Sequence, residues 1–196
     1  MASHHKIRKK SPMLRLYLGP MFAGKTEGLI SAARECGNRA IMVKPKLDDR
    51  WGADGEVKTH SGITAPAHVL ERVSEVLGLR LGHSFNTVCI DEGQFFPDLA
   101  AGVAELLALG LVVHVSALSG TFEQKPWQSV SEVIPLADEI VFLRADCDKC
   151  REKQCAKYTW RISPSKELIL VGAEDEYMAV CQTCLIDLKT KLPNIQ

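Results

Sequence analysis

Three groups of residues have the types and spacing to do chemistry. The octapeptide GPMFAGKT (residues 19–26) fits G-x-x-x-x-G-K-[ST]. In that pattern the loop's backbone N–H groups and the first turn of a following helix converge on an anion. Lys25 would reach the β- and γ-phosphates of a nucleotide, and the Thr26 hydroxyl would hold Mg2+. Pro20 has no N–H, so this loop offers one donor fewer than a loop without proline. The second group is Asp91 and Glu92, which end the apolar run Thr87 to Ile90. An aspartate at such a strand end is the usual partner of a phosphate loop and holds the hydrated Mg2+. Adjacent strand residues point to opposite faces, but the chain bends where a strand ends. Asp91 can therefore face the metal while Glu92 faces the acceptor. An alcohol attacking a γ-phosphate must lose a proton, and a carboxylate within reach can take it. The same glutamate could orient water in an ATPase, so Glu92 alone does not separate kinase from hydrolase.

The third group is the cysteines. Cys147-x2-Cys150 and Cys181-x2-Cys184 are separated by 30 residues, and paired knuckles of this kind close a tetrahedral structural zinc site. Cys155 is the nearest spare thiol and competes as a ligand. Cys36 and Cys89 fall within predicted elements and read as buried packing residues.

Positioning these groups requires an α/β framework. Strands are expected at 14–18, 39–43, 85–90, 111–118 and 139–143, and helices at 27–36, 68–80 and 97–109. Residues 44–65 show no clear periodicity and read as a long loop, which at this length is usually functional or mobile. Strands alternating with helices imply a mostly parallel sheet flanked by helices, and His114 reads as a core histidine within it. Composition changes near residue 145. The expected organisation is a flexible tail (1–12), a P-loop ATP-binding domain (13–145), a zinc-binding domain (146–191) and a C-terminal tail (192–196).

The chain has 196 residues and zero formal net charge, so its overall balance gives no electrostatic reason to expect nucleic acid or membrane as a partner. No apolar run approaches the roughly 20 residues of a spanning helix. No apolar segment follows the charged N-terminus as in a secretory signal, which makes the cytoplasm the expected location.

With these residues in place, the chain resembles the type II (cytosolic, zinc-containing) thymidine kinases over roughly residues 14–188. The matching stretches are GPMFAGKT (19–26), VCIDEGQFF (88–96), LSGTF (118–122), KP (125–126) and the C-x-x-C pairs flanking VGAEDEY (171–177). The resemblance implies a RecA-like P-loop domain carrying a small zinc-ribbon or lasso domain. It implies an ATP- and Mg2+-dependent transfer of phosphate to the 5′-hydroxyl of thymidine, giving dTMP. Gly19, Pro20, Met21, Phe22, Ala23, Gly24, Lys25 and Thr26 would bind ATP, with Asp48, Arg50, Asp91 and Gln94 beside them. Thr26 and Asp91 would hold magnesium, and Glu92 would be the proton acceptor. The pyrimidine pocket maps onto Met21, Phe95, Leu118, Phe122, Thr159 and Tyr177. The lasso maps onto Leu168, Ile169, Leu170, Val171 and Gly172, whose backbone would read the base edge. Arg161 matches a basic position of the lasso domain, and Phe96 reads as core. The family implies structural zinc, a homotetramer (or a dimer), and dTTP as a candidate feedback inhibitor.

An apolar niche for one methyl discriminates by only ~1–3 kcal/mol, so deoxyuridine is expected to be a substrate too. The chain departs from the family pattern at Ser119, Trp127 and Ala173, and between Cys150 and Thr159, where it looks about two residues longer than the vertebrate members. Two rival functions are a kinase for uridine or cytidine, and a P-loop ATPase whose zinc module docks DNA or a protein. The second would want a basic, aromatic-studded face, whereas residues 146–191 interleave acids with their lysines and arginines.

Overall fold

Leu14, Leu16 and Leu18 alternate with Tyr17 along Met13–Gly19, and both sets are buried. A strand covered on both faces belongs inside a parallel sheet. In the computed structural model, which describes residues 12–48, 55–79, 84–163, 167 and 175–191, this segment is strand β1. It leads through the glycine loop into helix α1 (Lys25–Cys36), followed by β2 (Ala40–Pro45), a hairpin of β3 (Glu56–Lys58) and β4 (Thr64–Pro66), β5 (His68–Leu70) and the single turn α2 (Val76–Leu79). Next come β6 (Thr87–Ile90), α3 (Leu99–Ala108), β7 (Val112–Leu118), α4 (Gln128–Val133) and β8 (Glu139–Phe142). The C-terminal region contributes β9 (Tyr158–Arg161), β10 (Tyr177–Val180) and α5 (Gln182–Lys191).

Six strands form one sheet in the order β5-β2-β6-β7-β1-β8, and every pairing in it is parallel. One face packs Leu14, Leu16 and Leu18 with Val88, Ile90, Val113 and Val115 against Leu99, Val103 and Leu106 of α3 and Val130 and Val133 of α4. The other packs Tyr17, Met42 and Cys89 against Leu29, Ile30 and Ala32 of α1. Period-two burial on both faces is what the apolar strand sequences predict. Helix α1 can approach Tyr17 closely because residue 28 is glycine: a Cβ there would lie 3.2 Å from the Tyr17 ring.

Two expectations change. Residues 55–66 are not structureless but carry the antiparallel β3–β4 hairpin. The helix expected over 68–80 begins instead as β5, paired with β2, and becomes helical only at residues 73–79. Pairing with the sheet edge overrides the helical spacing of that stretch. Helix α4 has no counterpart among the expected elements. Cys36 is half-buried, whereas Cys89 is fully buried.

The C-terminal region has its own small core of Ala156, Trp160, Ala179, Val180, Leu185 and Leu188, which also packs on Ala23 of the glycine loop. No helix among the described residues is long and apolar enough to cross a membrane.

Candidate active site

The glycine loop leaves β1 at Gly19, where a Cβ would meet the Leu143 carbonyl oxygen at 2.7 Å. Phe22 and Gly24 adopt left-handed conformations (φ 64° and 75°), which turn the chain sharply into α1. The Lys25 ammonium is folded back onto the Pro20 carbonyl at 2.6 Å, and the Met21 N–H donates to Thr159 Oγ1 at 3.0 Å. The loop is thus tied to β9.

In the sheet, β7 lies between β1 and β6. Val115 pairs with Ile90 and Ser116 with Tyr17, which brings Ser116 level with Asp91 just beyond β6. The Ser116 hydroxyl donates to Asp91 Oδ1. The Thr26 hydroxyl reaches the same carboxylate, at 3.2 and 3.3 Å from its two oxygens. A buried carboxylate beside a hydroxyl at a helix N-terminus is an all-oxygen donor set, which suits Mg2+ held by few protein ligands together with phosphate.

Glu92 follows in a left-handed conformation (φ 49°, ψ 45°) and starts the 3-10 turn Gly93–Phe95. That bend separates its side chain from that of Asp91. Gly93 permits the bend against β7, since a Cβ there would fall 2.7 Å from Val115 Cγ1. Gln94 brackets the site: its Nε2 donates to Glu92 Oε2 at 2.5 Å, and its Oε1 accepts the Leu118 N–H at 3.0 Å.

A cavity of about 230 Å3 runs from Lys25, Thr26, Asp91 and Glu92 to Leu118, Phe122 and Tyr177. Met21, Phe122 and Tyr177 form a small buried cluster with Phe22 and Leu118 beside it. Phe95 meets Trp127 edge-on at 5.8 Å. Arg161 is wholly buried, with its guanidinium 3.8 Å from the Phe122 ring centre and Nη2 donating to the Tyr177 hydroxyl at 2.6 Å. Asp48 and Thr159 also line the cavity. Phe96, by contrast, is buried in the main core. Of the expected residues, Arg50, Leu168, Ile169, Leu170, Val171 and Gly172 lie outside the described residues.

Several lining or supporting residues carry no motif that would mark them. Ser116 sits in a run read simply as buried strand. Lys58, Thr59 and His60 come from the hairpin, whose turn reaches α1 through a hydrogen bond from the Ser61 hydroxyl to Glu27. His60 meets Phe22 edge-on at 5.4 Å.

The observation that decides the family comes from comparison with known proteins. A family model described as thymidine kinase matches residues 12–185. The chain belongs to the thymidine kinase family. It is 33% identical to the thymidine kinase of monkeypox virus over 177 residues, 89% of this chain and 97% of the viral protein. It is 33% identical to that of rabbit fibroma virus over 174 residues, 87% and 94% of the two chains. It is 34% identical to the cytosolic thymidine kinase of Gallus gallus over 174 residues, 87% of this chain and 75% of that protein.

In this thymidine kinase family chain, three of the four cysteines expected as ligands gather, Cys147, Cys150 and Cys181, and Cys155 stands with them in place of Cys184. Cys147, Cys150, Cys155 and Cys181 hold their sulfur atoms within 4.8 Å of one another. Cys184 is buried in the same small core as Cys147, with Cys155 and Cys181 packed against it. Burial alone would push the Cys147 thiol up, but N–H donors from Cys150, Cys181 and Lys149 outweigh it and pull it down to about 6. Burial first, then the neighbouring thiols, push Cys184 up to about 12. Crowded thiols that hold protons against one another are a donor set for a soft tetrahedral cation, and zinc fits it.

Proposed function

We propose that this chain transfers the γ-phosphate of ATP to the 5′-hydroxyl of thymidine, giving dTMP and ADP, with Glu92 as the proton acceptor. The observation that carries this reading is one continuous cavity joining the glycine loop, Asp91 and Glu92 to the aromatic wall of Phe122 and Tyr177.

The α1 N-terminus and the loop N–H groups would cradle the phosphates, with Lys25 released from Pro20 to meet them. Thr26 and Asp91 would hold Mg2+, which when bound supplies charge neutralisation at the transferred phosphate. Glu92 would take the proton of the 5′-hydroxyl as its oxygen bonds to phosphorus and the bond to the ADP oxygen breaks. Gln94 would hold the Glu92 carboxylate toward the nucleoside. Phe95, Phe122 and Tyr177 would bound the pyrimidine, and Met21 and Leu118 would offer an apolar niche for its methyl. Deoxyuridine is then a substrate as well.

In the C-terminal region, Cys147, Cys150, Cys181 and Cys184 would hold Zn2+, which cross-links the two ends of residues 151–180. The family resemblance supports the remaining assignments: the lasso contact of residues 168–172 with the base, ATP contacts by Asp48 and Arg50, a homotetramer, inhibition by dTTP, and pyrimidine salvage in the cytoplasm.

The test is product identification. ATP labelled at the γ-phosphate, incubated with Mg2+ and thymidine, should yield labelled dTMP, and deoxyuridine should yield labelled dUMP. Label released as inorganic phosphate whether or not nucleoside is present would refute the assignment.

A further inference from the structure

Five cysteines lie in the C-terminal region, although a tetrahedral zinc takes four. With Zn–S bonds near 2.3 Å, the sulfurs of such a site stand about 3.8 Å apart. Cys150 and Cys181 are at 3.9 Å. Cys147, Cys150, Cys155 and Cys181 already lie within 4.8 Å of one another, so a shift of about an ångström makes them a complete ligand set. Cys184, the fourth ligand expected from the C-x-x-C spacing, is buried in the same small core as Cys147, with Cys155 and Cys181 packed against it. Cys147, Cys150 and Cys181 are therefore common to the observed tetrad and to the one the spacing predicts.

The turn that carries Cys155 is built, not incidental. Arg151 and Gln154 both adopt left-handed conformations (φ 65° and 51°), a costly choice for residues with a Cβ. They bend the chain back toward the first knuckle. Asp146 fastens this bend by accepting the Gln154 N–H at 3.0 Å and pairing with Lys153 at 2.6 Å. The Cys147 N–H donates to the Glu152 carbonyl at 2.9 Å, and the Ala145–Ala156 bridge closes the base.

We propose that Cys155 is a reserve zinc ligand, able to take the fourth coordination position in place of Cys184. The inference rests on the zinc reading above. In the exchange the bond from zinc to the Cys184 sulfur breaks and one to the Cys155 sulfur forms. The proton leaving the Cys155 thiol is taken up by the departing Cys184 thiolate, so the charge of the site is unchanged. The two sets differ in what they fasten: Cys184 ties the metal to α5, whereas Cys155 ties it to the 151–156 turn.

The experiment compares the full-length wild type with Cys155→Ser, Cys184→Ser and the double variant. Zinc content per chain is measured after desalting, affinity by chelator competition, and ligand number from the thiolate charge-transfer bands of the Co2+-substituted proteins. The wild type and both single variants should each hold one metal with a four-thiolate spectrum. The double variant should bind more weakly than Cys184→Ser by more than the roughly 100-fold that loss of an outer-shell contact brings. A Cys184→Ser protein that loses zinc as fully as the double variant, or gives a three-thiolate spectrum, would overturn the proposal. So would unfolding of Cys184→Ser under conditions where Cys155→Ser stays folded. A wild type that holds no zinc would overturn the zinc reading itself and the proposal with it.

Discussion

Replacing Gln94 with methionine keeps the length of the side chain and removes both hydrogen bonds of the bracket. The bond from Nε2 to Glu92 at 2.5 Å is charge-assisted, a class worth about 1.5–3 kcal/mol. It holds a side chain whose own backbone is left-handed, a conformation that costs roughly 1–2 kcal/mol, so the bond offsets most of that strain. If its loss frees Glu92 from the productive orientation, kcat for thymidine should fall about 10- to 100-fold at 1.4 kcal/mol per decade. The Leu118 N–H, which now donates to Gln94 Oε1 at 3.0 Å, is orphaned as well, at a cost of about 1–3 kcal/mol in stability. Steady-state kinetics of Gln94→Met in the wild-type and Glu92→Ala backgrounds separate the two effects. In the Glu92→Ala background Gln94→Met should cost no further kcat, because there is no carboxylate left to position. A full additional loss in that background, or unchanged kcat beside a lowered Tm, would refute the bracket.

Asp98 gives a stability prediction with a defined pH dependence. It accepts the N–H groups of Val73 and Ser74 at 2.8 and 3.1 Å. Burial would raise its pKa, but those donors, the Ser74 side chain and Arg72 outweigh it and hold the carboxyl below its ordinary 3.8. Asp98→Ala should cost about 2–4 kcal/mol at pH 7 in urea denaturation. A depressed folded-state pKa means this contribution is present above pH 3.8 and fades as pH falls through the lower folded value, so the two proteins should converge there. Gly93→Ala places a methyl 2.7 Å from Val115 Cγ1. It should destabilise by about 1–3 kcal/mol and lower kcat, because Glu92 and Gln94 flank it; full activity would show that the turn tolerates displacement. Arg161→Lys loses the stack on Phe122 at 3.8 Å and the planar donor to Tyr177. KM for thymidine should rise by about 10-fold, the worth of one such contact, with KM for ATP unchanged; a shift in the ATP value alone would contradict this placement.

The parts of this protein legible in its sequence are those where local pattern and tertiary environment agree. β1, β6 and β7 are largely buried on both faces because helices cover both sides of the sheet. Asp91 and Glu92 were readable because a carboxyl strand end is where an open α/β sheet binds ligands. The hairpin at 55–66 was not, since three-residue strands are too short to show alternation. They form through mutual pairing and the turn bonds at Thr59, Ser61 and Ile63. The stretch 68–80 has helical spacing, yet its first residues complete the edge of the sheet. Ser116 could have been found only with the strand order known, since its role depends on β7 lying between β1 and β6. Cys155 joins the cluster through two left-handed residues that no spacing rule anticipates.

The central claim is that Glu92 takes the proton of a thymidine hydroxyl within a cavity shared with ATP. Its most direct test is ATP consumption with Mg2+ across a nucleoside panel, comparing the wild type with Glu92→Ala. Loss of a positioned general base costs about 100- to 10,000-fold. The account predicts turnover that requires thymidine or deoxyuridine and collapses by that factor in the variant. Hydrolysis independent of nucleoside, preference for a ribonucleoside, or a Glu92→Ala enzyme with wild-type turnover would contradict it.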